Sequence, residues 1–204
     1  MSYYLLTGVM FGLAAGFSPG PLLTLVISET LEHGIRSGIK VALAPVITDI
    51  PIILIALFAF SRLSGFDSIL GIISLLGGCY VFYMGYQSFL LNSRNTPSTG
   101  TAPKSLIRGV LTNALSPHPY LFWISVGAPT VSKSAATDTA APFLFIGGFY
   151  VFLVGSKIAL AILVGQSKSF MSDNIYRHTL KLLGFALLGF SVVLFADGIR
   201  LMGF

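Results

Sequence analysis

Ser18-Pro19-Gly20-Pro21 interrupts an apolar tract that carries no charge before Glu29. The tract is long enough to cross a bilayer as a helix, at roughly 20 apolar residues per crossing. Proline removes a backbone donor and clashes with the preceding turn, so two prolines and a glycine here break the helix. In hydrocarbon the freed backbone groups find no partner from lipid. Such a break survives only where protein or a water-filled cavity supplies one. The motif therefore predicts a broken membrane helix that lines a site.

The rest of the chain supports the membrane reading. Of 204 residues, 54% are hydrophobic and 9% charged, against about 25% charged in soluble domains. The net charge of +5 does not mark a nucleic-acid binder, because its twelve basic residues are spread over short connections without aromatic interleaving. Cys79 is the one cysteine, so no intrachain disulfide forms; it is expected to be a buried packing residue without metal-ligand neighbours. The first tract lacks a basic leader region and exceeds the length of a signal peptide, so it is expected to be a retained span.

Six tracts are long enough to span: residues 3–27, 41–60, 68–91, 109–131, 139–165 and 182–202. The expected fold is all-α, a polytopic membrane protein of six transmembrane helices forming one domain over residues 1–204. Gly8, Gly12 and Gly16 share one face of the first tract and permit close approach of another helix. The second tract holds Pro45, Thr48, Asp49 and Pro51; a carboxylate there costs roughly 2.5–3.5 kcal/mol on insertion scales. Tyr80, Tyr83, Tyr86 and Gln87 recur along the third, either as packing or as the polar wall of a path. The fourth contains Asn113 and Ser116-Pro117-His118-Pro119, the fifth Lys157, and the sixth Asp197, read as interfacial.

Ser-Pro-any-Pro thus occurs in the first and fourth tracts, and Leu-Leu-Gly in the third and sixth (residues 75–77 and 182–184). The halves, about 1–91 and 105–204, are joined by a polar linker, 92–104. Three spans per half invert the second half, giving a 3+3 inverted repeat with helices 1 and 4 broken, as in many transporters. Basic residues gather on the side of Arg36, Lys40, Arg94, Lys104, Arg108, Lys168, Arg177 and Lys181, which places that side and the linker in the cytoplasm and both termini outside. Counted from that side, Pro19, Asp49, Pro117 and Lys157 each lie roughly 13–17 Å deep at a helical rise, near the centre of the hydrocarbon.

That layer has a definite chemistry. New half-helices are expected to begin at Pro21 and Pro119, with Ser18 and Ser116 supplying hydroxyls beside the breaks. A helix N-terminus offers unpaired N–H groups and the positive dipole end, which suit a carboxylate. Asp49 suits an ammonium group or a coupling proton. Lys157 either pairs with Asp49, binds the carboxylate or snorkels, and Asn113 is placed to satisfy backbone freed by Pro117. The expected substrate-binding set is Ser18, Pro19, Gly20, Pro21, Asp49, Asn113, Ser116, Pro117, His118 and Lys157. No catalytic residues, metal ligands or cofactor are expected, and no paired carboxylates or nucleotide loop suggest an enzyme or an ATP-driven pump. The partners are a small-molecule substrate and the lipid bilayer, and the glycine faces would also allow a homodimer.

On these residues the chain resembles the LysE/RhtB family of amino-acid exporters. The resemblance rests on Pro19-Gly20-Pro21, the segment Gly34-Ile35-Arg36-Ser37-Gly38, Asp49, the stretch from Tyr80 to Tyr86, and the Arg108-Gly109-Val110 entry to the fourth span. Ser116-Pro117-His118-Pro119 and Lys157 depart from the family's pattern. The resemblance implies secondary active export of amino acids or related zwitterions across the cell (plasma or inner) membrane, driven by a proton gradient or membrane potential. The alternative is an ion or metal-cation exporter on a related six-helix scaffold.

Overall fold

The computed structural model describes residues 2–60, 66–90, 104–168 and 173–203, and every regular element among them is helical. The first half contains α1 (Ser2–Phe17), α2 (Pro21–His33), α3 (Ile35–Ala42), α4 (Ala44–Phe60) and α5 (Phe66–Leu90). The second contains α6 (Ser105–Ala114), α7 (Pro117–Phe122), a π-helical turn (Trp123–Gly127), α8 (Ala128–Thr137), α9 (Ala141–Ser167) and α10 (Asp173–Leu201). Most of the expected linker, with Arg94, and the loop residue Arg62 lie outside the described residues.

Among the described residues, three helical stretches are long and apolar enough to cross a membrane: Ile35–Leu57, Ala141–Ser167 and His178–Leu201. The pair α1 and α2, bent by 62°, makes a fourth if it is one span. Large apolar side chains face outward along these helices; Tyr3 is 71% exposed, Phe143 77% and Leu182 68%. The buried set, by contrast, includes Glu29, Asp49 and Lys157. A soluble protein would not arrange its surface this way, whereas lipid is a solvent for those faces. Cys79 follows the same logic. It is exposed, not buried as expected, because a small apolar residue gains little from leaving lipid.

Several element boundaries differ from those expected. The expected loop between the first two spans is nearly all helix: α2 runs to His33, and α3 starts at Ile35. The chain turns at Gly34 alone, whose φ of +89° favours glycine. Pro51 lies inside α4, and Ile35–Leu57 behaves as one span, so this proline does not divide the tract. α10 begins at Asp173, ahead of its apolar tract.

Close packing on small residues positions the site. α1 lies along α9, where Gly8 and Gly12 meet the backbone of Phe145 and Phe149 and Gly16 meets Ser156. α5 pairs with α10 through Gly71, Gly78, Gly85 and Gly198. One apolar core gathers Leu25, Val26, Val41, Val81, Leu187 and Leu194; a second gathers Ile52, Trp123, Phe145, Phe149 and Leu153. Glu29, 1% exposed, ties α2 to α6: its carboxylate accepts from Arg108 Nη1 at 2.7 Å and Ser105 Oγ at 2.6 Å, with His33 Nδ1 3.3 Å away.

Candidate functional site

The first break follows from its prolines. Ala15 should offer its carbonyl to the N–H four residues on, but that residue is Pro19. Gly20, the corresponding donor for Gly16, is extended at φ −177° and ψ 177°. Lys157 of α9 fills both vacancies: its Nζ donates to Gly16 O at 2.8 Å and Ala15 O at 3.2 Å. A cation against the carbonyl end of a helix is also favoured by the dipole. Gly16 makes the reach feasible, because a Cβ there would fall on Ser156 Oγ. α2 then starts at Pro21 without a side-chain cap.

The second break is repaired differently. Pro117 removes the helical donor for the Asn113 carbonyl, which instead accepts from Ser116 N at 3.2 Å. The carbonyl of Ala114 accepts from Tyr120 Oη at 2.9 Å. The new half-helix begins at Pro117, not Pro119 as expected. The N–H groups of a first turn have no helical acceptor, so prolines at both positions cost nothing there. The helix then widens into the π-helical turn, a feature frequent at functional sites. Gly127 lies directly against the Trp123 ring and leaves room for the indole, which is 1% exposed.

Asp49, 3% exposed, is held by neutral donors. Asn113 Nδ2 donates to its Oδ1 at 2.9 Å and also to Thr48 Oγ1 at 2.6 Å. Thr48 Oγ1 lies 3.3 Å from Oδ1. Tyr150 Oη of α9 donates to Oδ2 at 3.1 Å. The indole N–H of Trp123 lies near the same carboxylate, although it meets hydrogen-bond geometry with no described group. Asn113 therefore spends its side-chain amide on Asp49 and Thr48, not on the backbone freed by Pro117. Lys157, also 3% exposed, makes no ion pair with Asp49. Of the expected alternatives for this lysine, the structure shows neither pairing nor snorkelling.

Both charges face a cavity of about 400 Å³ between the two breaks. Its size falls in the roughly 300–1,000 Å³ range of small-molecule sites. Ser18, Pro19, Gly20 and Pro21 line it from one break; Asn113, Ser116 and His118 line it from the other. Ser18, Pro19 and His118 are exposed, and Ser116 Oγ lies 3.1 Å from His118 Nδ1. Pro117 is buried and outside the lining. Tyr80, Tyr83 and Tyr86 do not line the cavity; Tyr83 and Tyr86 point outward. Sequence reading missed Trp123, Tyr150, Tyr120 and the stacked pair Phe122–Phe149, whose centroids lie 4.9 Å apart. Aromatic residues in apolar tracts are ordinary filling, and nothing in their spacing distinguishes these from the rest. The position of Tyr120 directly after Pro119 gave no signal either.

Among the described residues, no group of three or more His, Cys, Asp and Glu side chains comes together to hold a metal. The chain matches the family model described as LysE type translocator over residues 13–198. It is also 25% identical over 130 residues to a protein of Escherichia coli (strain K12) named "Uncharacterized membrane protein YahN". That match covers 59% of this chain and 57% of the relative, so the chain spans little more than half the relative's length. No solved structure matches it. A membrane protein built of apolar helices, matched by one family model along nearly its whole length, this chain belongs to the LysE type translocators.

Proposed function

We propose that the protein is a secondary active transporter that exports amino acids or related small zwitterions from the cytoplasm across the cell membrane. The observation that carries the reading is the pair Asp49 and Lys157. They are opposite in sign, buried, unbonded to each other and exposed to one cavity. An amino acid bridges two such charges: its ammonium meets Asp49 and its carboxylate meets Lys157 and the uncapped start of α2. The membership in a translocator family points the same way.

The architecture supports alternating access around that cavity. α5 pairs with α10, and the contact of α1 with α9 has a counterpart in the contact of α4 with α6, α7 and α8. That exchange is what a pseudo-two-fold relating two inverted three-span halves produces, with the cavity at their meeting point. In this reading the six tracts are six spans, helices 1 and 4 are the broken ones, and the ends of the chain lie outside the cytoplasm.

The cation-exporter reading is less well supported, because Asp49 is surrounded by groups that donate to it. The Asn113 amide nitrogen cannot serve as a metal ligand. A direct test uses purified protein in vesicles loaded with a panel of amino acids. At least one is expected to move down its gradient, and Asp49→Asn is expected to reduce that flux by about tenfold or more, since buried charge recognition is worth about 1.4 kcal/mol or above. If no amino acid moves, and Asp49→Asn matches the parent protein, the reading fails.

A further inference from the structure

We propose that the cavity selects amino acids with neutral, apolar side chains and turns away those that carry a third charge. The inference rests on reading the cavity as an amino-acid site and adds the substrate class.

Its basis is what remains of the wall after the two substrate charges are met. Among the described residues lining the cavity, Asp49 and Lys157 are the permanent charges. Asp49 already accepts from Asn113, Tyr150 and Thr48, which fills three of its roughly four acceptor sites and leaves one for an ammonium. Lys157 spends two of its three donors on α1 carbonyls, which leaves one for a carboxylate. The remaining titratable group, His118, is exposed at the rim and engaged with Ser116. A zwitterion thus uses the charge complement completely.

Of the remaining lining residues, Ser18, Thr112, Asn113 and Ser116 are polar but uncharged, and the others form an apolar wall. Phe122 stacks on Phe149 at 12° between ring planes, and Trp123 meets Phe149 edge-on at 5.5 Å. Leu153, Phe190 and Val193 extend that surface from α9 and α10. A side chain laid against this wall loses water and gains no polar partner. That favours a branched aliphatic or aromatic group, and it leaves the ammonium of lysine or the second carboxylate of glutamate buried without a counter-charge. Sites that leave a buried charge unmatched discriminate far more strongly than sites that differ by a methylene.

The chain's single tryptophan reports on this cavity directly, because Trp123 lines it and is buried. Detergent-solubilised protein would be titrated with leucine, phenylalanine, lysine and glutamate while Trp123 emission is followed, and the same four would compete for flux in vesicles. Leucine and phenylalanine are expected to give saturable shifts and to compete about tenfold or more better than lysine or glutamate. In Leu153→Ala, which enlarges the apolar wall, the preference is expected to move from leucine toward phenylalanine. If lysine or glutamate competes as well as leucine, the selectivity proposal is overturned while amino-acid transport stands. If none of the wider amino-acid panel moves or shifts the emission, the transport reading falls and this proposal with it.

Discussion

Lys157 joins backbone repair to substrate chemistry. Its ammonium replaces the donor that Pro19 lacks, and the same atom faces the cavity. Removing it leaves two buried carbonyls unmet, each costing about 1–3 kcal/mol. Lys157→Met, similar in length, is therefore expected to lower the melting temperature in detergent by several degrees and to abolish flux. Asp49→Asn should separate the two effects, because its amide still accepts from Asn113 and offers an N–H to Tyr150 Oη. Its melting temperature is expected to stay close to that of the parent while flux is lost. The site is half legible in the sequence. A charge in an apolar tract is costly, so Asp49 and Lys157 stand out by type alone. Tyr150, which completes the Asp49 shell, is one aromatic among many and does not. Nor does the sequence reveal that Lys157 belongs to α1, because that contact joins residues far apart in the chain.

Between elements, two kinds of contact hold the halves in place. The first is the glycine face of α1 on α9. A methyl at Gly12 would press into the Phe149 carbonyl, while one at Gly155 of α9 meets nothing within 4 Å. Gly12→Ala is expected to destabilise by about 1–3 kcal/mol through overpacking. Gly155→Ala is expected to be neutral or slightly stabilising, by up to about 1 kcal/mol from helix propensity. Thermal melts of the two variants check the contrast, and equal losses would mean that the glycine face is not the packing surface. The second contact is the Glu29 carboxylate between α2 and α6. Arg108→Met leaves that carboxylate buried without its guanidinium, a loss of about 1–3 kcal/mol given the partial exposure of Arg108. Glu29→Gln added to it is expected to recover part of the loss. A double-mutant cycle measured by thermal melting gives the coupling directly. Additive losses would show that the pair is not coupled.

For the molecule as a whole, the sequence carried the helical class, the membrane setting and the approximate tracts, because each depends on long apolar runs. Helix ends were less legible. α2 continues through Glu29, Glu32 and His33, since Glu29 finds Arg108, Ser105 and His33 as partners and a charged residue with partners need not end a membrane-associated helix. Those partners also bear on orientation. Gly34 turns the chain between α2 and α3, and α3 packs on α6, so Arg36, Lys104 and Arg108 share the end of the bundle where these helices meet. If that end is cytoplasmic, as the basic excess argues, the start of α1 and the end of α10 face the other side. Single cysteines at Ser2, Arg36 and Gly203 in a Cys79→Ser background test the arrangement in intact cells. A membrane-impermeant thiol reagent is expected to label Ser2→Cys and Gly203→Cys without lysis, and Arg36→Cys only after permeabilisation. Labelling of Arg36→Cys alone in intact cells would reverse the orientation. Labelling of Ser2→Cys and Gly203→Cys from opposite sides would mean an odd number of crossings, which two inverted halves of three spans cannot give.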